Sequence, residues 1–396
     1  MKINILQGAF FPVPPVNGGA IESAWYLLGK EFAKNGHEVT HVCKSDKRLK
    51  ISEINEGVKY LRVRGAKAVR NPLLLKLMEL PYVLRTKRVM QKADILISHT
   101  FWAPILFPPK KYGRIYVHVG RHPKGQLNFY GKACRLQVPS SSIAKACQKE
   151  VPSQLAKIKT LPYPLPWKAS KEFVLQNREK TFLYVGRIHP EKGVLELIEA
   201  WHKMPQEVAS GWKLLVVGPW REEHGGGGSG YLKKIKTSAK KGNNQIEISS
   251  PIFDRHKLKK QMEKVCFFVY PSRAHKGETF GLAVLEAMSC GCVPIVSSLP
   301  CFSDFIDFEK QGLCIEGKVS ESFQGAIMQK LLEAMSLPAE KLHQMAKSSW
   351  NRAKDYEIEN VAQLYLNDFS SSINSVFLKI VGSNEIFPLL TVKPNS

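Results

Sequence analysis

A run of seventeen residues, from Lys276 to Cys292, limits what this chain can fold into more than any other stretch. It reads Lys-Gly-Glu-Thr-Phe-Gly-Leu-Ala-Val-Leu-Glu-Ala-Met-Ser-Cys-Gly-Cys, between the apolar runs Cys266–Tyr270 and Val293–Val296. Two short apolar runs separated by a glycine turn and a helix-length segment predict a strand–loop–helix–strand unit of a parallel sheet. The helical part is apolar nearly all round, with Leu282, Ala283, Val284, Leu285, Ala287 and Met288. Such a helix is normally buried, so Glu286 within it does not read as an ordinary solvated acid. A buried carboxylate needs hydrogen-bond donors or a countercharge, and a sugar diol supplies two hydroxyl donors. Glu278 precedes the helix, beside backbone N–H groups that are free to bind an anion.

The same alternation runs through the whole chain, so the fold class is α/β with parallel sheets. With 396 residues the chain exceeds one typical core and suits two domains. Strands are expected near 3–7, 37–43, 58–63, 95–99, 115–119 and 136–139, with a helix over 20–35 that Gly36 ends. The Pro-rich Leu161–Trp167 stretch leads into a charged segment. Residues 1–166 are therefore read as one Rossmann-like domain, 167–180 as the linker and 181–355 as a second Rossmann-like domain. A helix over 356–373 and an irregular tail over 374–396 complete the chain. In the second domain strands are expected at 182–185, 213–217, 245–248, 267–270 and 294–296, and helices at 194–202, 258–264, 282–289, 320–335, 338–353 and 358–371. Gly225–Gly228 reads as a flexible loop. Two such domains face each other across a cleft, and ligands bind beyond the carboxyl ends of the strands.

Phe182–Gly193 is the second informative segment. A strand ends at Gly186 and a helix starts near Gly193, so Arg187 and Lys192 can face one cleft. A diphosphate needs concentrated positive charge and N–H donors, which this spacing supplies. A pair of solvated cations at a turn is the plainer reading of the segment taken alone. Asn17-Gly18-Gly19-Ala20 opens the first helix, where glycine allows close approach of backbone to a ligand. Glu22 lies in that first turn, where it either orients an acceptor hydroxyl or simply complements the helix dipole. His118 ends a strand and faces away from Val117 and Val119 if strand alternation holds. It contacts ligand or packs as a structural histidine; Arg121 and His122 follow it at the cleft edge.

The formal net charge is +24, and residues 1–165, with 28 Lys+Arg against 9 Asp+Glu, hold +19 of it. An anionic partner for the first half follows. Residues 59–92 interleave cations with leucines and suit docking on anionic lipid or on a phosphorylated glycan, or else core leucines with a solvated basic face; Pro72 and Pro81 argue against one continuous helix there. No zinc finger, RNP-like motif or basic helix-turn-helix supports a nucleic-acid partner. The eight cysteines form no C-x-x-C pair, so reduced thiols are expected and a metal site is not. The N-terminus reads as a strand and no stretch approaches the roughly 20 apolar residues of a membrane span. A cytoplasmic protein is expected, at most peripheral on the cytoplasmic face of the inner membrane.

The Glu-x7-Glu arrangement from Glu278 to Glu286, within Glu-Thr-Phe-Gly-Leu-Ala-Val-Leu-Glu-Ala-Met-Ser-Cys-Gly, resembles the signature of glycosyltransferase family 4, which has the GT-B fold. Gly186-Arg187 with Lys192-Gly193 resembles that family's pyrophosphate-binding element. The resemblance implies retaining transfer of a hexose-type sugar from a nucleoside-diphosphate sugar, a UDP-sugar ahead of a GDP-sugar. The expected acceptor is an anionic glycan or glycolipid in cell-surface polysaccharide or lipopolysaccharide biosynthesis. It implies donor contacts from Gly19, Gly186, Arg187, Lys192, Glu278, Thr279, Phe280, Gly281, Leu282 and Glu286. Catalytic roles fall to Glu278, His118, Arg187 and Lys192, and acceptor contacts to Gly18, Glu22, Arg121 and His122. The final helix is expected to cross back to the first domain. No cofactor or metal is expected, because cations at the diphosphate make one unnecessary and no Asp-x-Asp pair stands out. Rival readings are a nucleotide-sugar epimerase or a phosphorylase of the same fold and, more distantly, a non-catalytic nucleic-acid binder.

Overall fold

The computed structural model describes residues 1–381 apart from 17, 18, 68, 70, 171 and 317–321; for 375–381 only the helical backbone is described. Two sheets organise the chain. The first contains β1 (Lys2–Leu6), β2 (Glu38–Lys44), β3 (Ser52–Asn55), β4 (Val58–Val63), β5 (Ile95–Ser98), β6 (Arg114–His118), β7 (Arg135–Val138) and β8 (Ile158–Thr160), in the order β3-β4-β2-β1-β5-β6-β7-β8. All neighbours are parallel except the β3–β4 hairpin. The second contains β9 (Glu179–Val185), β10 (Lys213–Val217), β11 (Ile246–Ser249), β12 (Val265–Tyr270), β13 (Val293–Ser297) and β14 (Leu313–Ile315), wholly parallel in the order β11-β10-β9-β12-β13-β14. Both sheets change direction of winding at a central strand, β1 or β9, and such switch points place ligand crevices at the carboxyl edge. The short strands β3, β8 and β14 are absent from the sequence reading. Two of them, β3 and β8, are largely exposed and so lack an apolar run.

The central strands are buried on both faces, as parallel strands covered by helices must be. Phe267, Phe268 and Val269 are fully buried, as are Phe182 and Leu183 beside them. The last helix, Ile358–Val381, follows the second sheet in sequence yet packs against the helix Ala20–Lys34 of the first. Its Asp368 accepts a hydrogen bond from the Tyr116 hydroxyl at 2.8 Å and pairs with Arg135 at 2.8 Å. Phe369 meets Phe32 edge-on with ring centres 5.6 Å apart.

Five local expectations need correction. Pro72 and Pro81 do not break the 59–92 region, because residues Pro72–Val89 form a single helix. Pro72 is at the first helical position, where its missing N–H costs nothing, and the Asn71 side chain caps the amides of Leu73 and Leu74. Pro81 and Leu77, whose carbonyl loses its donor, are both exposed, so water can take that bond. The Gly225–Gly228 loop is not loose. Its four amides donate in turn to the carbonyls of Glu222, Arg221, Ile188 and Trp220 at 2.8–2.9 Å, and Gly228 begins a helix to Ala239 that its polar sequence concealed. The final helix continues to Val381, past the expected start of an irregular tail at 374; residues 382–396 of that tail lie outside the described residues. The helix expected over 320–335 begins at Phe323, capped by Ser322, whose hydroxyl accepts from the Gly325 amide. β9 starts at Glu179, two residues inside the expected linker.

Candidate active site

The carboxyl ends of β9 and β12 bring the main candidates together. After β9 the chain leaves through Gly186 and Arg187, makes a tight turn at Pro190–Lys192, and enters the helix Val194–Lys203 through Gly193 in a left-handed conformation. After β12 it runs through Ser272 and Glu278 to Gly281, which precedes the helix Leu282–Ser289. Gly281 has φ 92°, and a Cβ there would stand 2.4 Å from the Phe302 ring, so glycine is required twice over. The two helix entrances leave backbone N–H groups without intrahelical partners on the same side of the sheet.

Lys192 and Glu278 meet directly. Lys192 Nζ is 2.6 Å from Glu278 Oε2, with the side chains 5% and 11% exposed. The same oxygen accepts from the Tyr270 hydroxyl at 3.1 Å and from Ser272 Oγ at 3.3 Å. Lys192 Nζ also lies 5.5 Å from the centre of the Tyr270 ring. Arg187 is more accessible: it donates to Glu191 Oε1 at 2.7 Å and to the Gly225 carbonyl at 2.6 Å. The glycine loop therefore holds an arginine at the mouth of the site. Thr279 and Leu282 are half-buried and Phe280 is buried.

Glu286 lies one turn further along the Leu282–Ser289 helix and is half-buried. Burial pushes its carboxyl up to about 7, and the charge of Arg255 pulls it down. Arg255 begins the helix Arg255–Glu263 after β11, and that helix packs beside the Leu282–Ser289 helix.

In the first domain Gly19 and Glu22 follow β1, and Arg121 and His122 follow β6. Gly18 and Asn17 lie outside the described residues. A Cβ on Gly19, whose φ is 117°, would come within 2.4 Å of Glu22 Oε2. Glu22 is half-buried; burial raises its pKa, against its own backbone N–H, the charge of Arg121 and the Gln7 side chain. Arg121 is exposed, and His122 Nδ1 is 3.1 Å from the Pro123 carbonyl.

His118 does face away from Val117 and Val119, which belong to the other core layer. Neither of its ring nitrogens is free. Gln137 donates through Nε2 to the Leu161 carbonyl at 2.8 Å, so its Oε1 must be the acceptor 2.5 Å from His118 Nδ1. That puts the proton on Nδ1 and leaves Nε2 to accept from the Tyr163 hydroxyl at 2.9 Å. Burial drives the ring down to about 4, so it is neutral. Tyr163 in turn meets Phe280 edge-on at 5.5 Å. His118 is thereby joined, through Tyr163, to the 279–281 loop of the other domain, and Ser141 adds a second bridge by donating its amide and hydroxyl to Asp304.

With this geometry in view, the comparisons are specific. Residues 167–351 match the family described as Glycosyl transferases group 1. That match covers a little under half of the chain. Over 198 residues the chain is 27% identical to a GDP-mannose:cellobiosyl-diphosphopolyprenol alpha-mannosyltransferase of Xanthomonas oryzae pv. oryzae, covering 49% of this chain and 47% of that protein. The match thus spans about half the length of one curated relative and a third of another, a mannosyltransferase of the same description from Xanthomonas campestris. The fold likeness is broader. Sucrose-phosphate synthase from Thermosynechococcus elongatus superposes with a TM-score of 0.73 at 18% identity, covering 93% of this chain and 99% of that one. Anabaena HepE, in complex with UDP and glucose, gives 0.68 at 15% identity over 94% and 100%. The whole chain has the GT-B fold, and residues 167–351 are similar to the Glycosyl transferases group 1 family.

Several residues of the candidate site were not legible beforehand. Tyr270 sits in an apolar strand run and Ser272 in an unremarkable loop, yet both hold Glu278. Gln137 and Tyr163 set the His118 tautomer from 19 and 45 residues away, a separation no local pattern carries. A cavity of about 460 Å3 lined by Ser170, Phe173, Arg178, Glu263 and Trp350 lies at the opposite, amino edge of the second sheet. The Arg178 donors there are spent on the Val174, Val265 and Cys290 carbonyls, so its role is structural.

Proposed function

We propose that the chain transfers a hexose, with retention of configuration, from a nucleoside-diphosphate sugar to a lipid-linked or otherwise anionic glycan of a cell-surface polysaccharide or lipopolysaccharide. The convergence of Arg187, Lys192 and Glu278 at the carboxyl edge of the second sheet carries this reading. Arg187 and Lys192 are suited to hold the diphosphate and to stabilise the charge it gains as the bond breaks. A phosphate drawn to Lys192 would release Glu278 to accept hydrogen bonds from the donor-sugar hydroxyls, and Glu286 would accept from the ribose diol. In the step itself the bond from the anomeric carbon to phosphate oxygen breaks, and the acceptor oxygen forms its bond on the same face. The acceptor proton passes to the departing phosphate. His118, neutral and bonded at both nitrogens, fits a positioning role through Tyr163 rather than proton transfer. The two cations supply the charge a metal would otherwise bring, so transfer should persist in a chelator.

The relative's name supports GDP-mannose as the first donor to test, alongside the UDP-sugar that the sequence resemblance favoured. Its diphosphopolyprenol acceptor supports a lipid carrier. The test is thermal denaturation with GDP, UDP, GDP-mannose and UDP-glucose, followed by transfer of labelled sugar to polyprenyl-diphosphate glycans. A donor at 100 times its Kd should add about 2.7 kcal/mol of stability. No stabilisation by any nucleoside diphosphate would overturn the reading. Conversion of the donor with no acceptor present would instead support an epimerase.

A further inference from the structure

The helix Pro72–Val89 is built the wrong way round for a soluble protein. At 3.6 residues per turn Leu73, Leu77 and Leu84 fall within about 40° of one another, with Arg88 and Pro81 completing the stripe. That stripe faces solvent: Leu73 is 69%, Leu77 54% and Leu84 47% exposed, and Leu74 beside them is 46% exposed. The opposite face, turned into the domain, carries Glu79 and Thr86 beside Tyr82 and Val83, all buried. Both polar groups are satisfied, Glu79 by the Phe101 amide at 2.7 Å and Thr86 through its hydroxyl to the Val83 carbonyl at 2.7 Å. The core therefore accepts an acid and a threonine while the helix leaves its leucines in water. Exposed apolar area of this kind marks an interaction site.

Cations border the stripe on both sides. Arg88 is exposed, Arg85 lies on one flank, and Lys76 and Lys87 lie on the other over the Phe101 and Phe107 rings. We propose that this face docks the protein on an anionic phospholipid surface, with the helix lying in the plane of the interface and its leucines entering the acyl boundary. Apolar insertion ringed by cations is the chemistry such a helix requires. A second copy of the chain is the poorer occupant, because each first half carries +19 and two such faces would repel. The proposal deepens the reading above: the first domain would sit at the bilayer that carries a lipid-linked acceptor.

The test is co-sedimentation of the full chain with vesicles of phosphatidylcholine containing 30% phosphatidylglycerol, against phosphatidylcholine alone. No nucleotide sugar is present, so its failure is separate from failure of the transferase reading. The protein should bind the anionic vesicles and be released by salt. Leu73→Ser, Leu77→Ser and Leu84→Ser together should weaken binding at least about tenfold, and Arg88→Gln about fivefold, the usual share of one interfacial cation. The serine positions are exposed, so an unchanged melting temperature checks folding. As an independent measurement, Leu77→Trp should gain fluorescence that brominated lipid quenches. Absence of binding, binding indifferent to the three serines, or an unquenched Trp at 77 would each overturn the proposal. So would a concentration-dependent dimer abolished by the serines without vesicle binding, which would make the face a contact between copies.

Discussion

Lys192 and Glu278 are joined by a 2.6 Å ion pair that is almost wholly buried, with Tyr270 and Ser272 donating to the same carboxylate oxygen. Two groups suited to a charged donor thus neutralise each other before one arrives. Removing one partner leaves a buried charge uncompensated, which costs about 3–5 kcal/mol. Lys192→Met should therefore lower stability by about that amount in urea denaturation. Adding Glu278→Gln should recover part of the loss, because the amide oxygen still accepts from Tyr270 and Ser272 while no charge remains. Single and double variants that lose stability additively would show that the pair is not coupled.

Arg187 has a different balance. Its side chain is 39% exposed and its partners, Glu191 and the Gly225 carbonyl, are at the surface of the site. Such pairs contribute at most about 1 kcal/mol to stability. Arg187→Ala should fold normally yet lower the transfer rate by about 10²–10³, the usual loss on removing one donor aimed at developing charge. Arg187→Lys should restore little of it, because an ammonium cannot reproduce the planar fork. A steady-state comparison decides: full transfer by Arg187→Ala would remove the residue from the mechanism.

Glu286 titrates in a useful range. Its carboxyl is raised to about 7 by burial, so the ionised fraction climbs from about a tenth at pH 6 to about nine tenths at pH 8. If the carboxylate is the form that accepts from a ribose diol, nucleoside-diphosphate affinity should improve up to about ninefold over that interval. Glu286→Gln should flatten the profile. Calorimetric titration of GDP and UDP at three pH values measures it, and a wild-type profile as flat as the variant's would exclude the role.

Most of the second domain could be read in advance because its signals are local. The Leu282–Ser289 helix has the expected bounds, and Arg187, Lys192 and Glu278 come together because each lies within eight residues of the end of a buried apolar strand. What escaped was set by distant partners or by context. Nothing near His118 announces that Gln137 and Tyr163 occupy its nitrogens. Nothing in Pro72–Val89 foretells that its prolines fall where a helix tolerates them, since that depends on which face the domain buries. Glu286 was legible as a misplaced acid, while its countercharge, Arg255, lies on a separate helix.

The first domain makes an acid-sensitivity prediction. His118 has its pKa lowered from 6.5 to about 4, and burial acts likewise on His41, to about 3, and on His99. For a lowered histidine the unfolded chain takes up the proton first. Its contribution to stability is whole above pH 6.5 and is lost progressively as pH falls toward the folded value. Glu79 and Glu286, raised to about 7, act in the opposite sense and gain from protonation below that pH. The wild-type curve alone therefore mixes both, and a difference measurement is needed. His118→Gln can still donate to Gln137 and accept from Tyr163 without titrating. Urea denaturation from pH 7.5 to 4.5 should show the variant closing on the wild type as pH falls, by about 2–3 kcal/mol at 1.36 kcal/mol per pKa unit. Parallel curves would mean that His118 titrates alike in folded and unfolded chains, against the buried neutral tautomer held by Gln137.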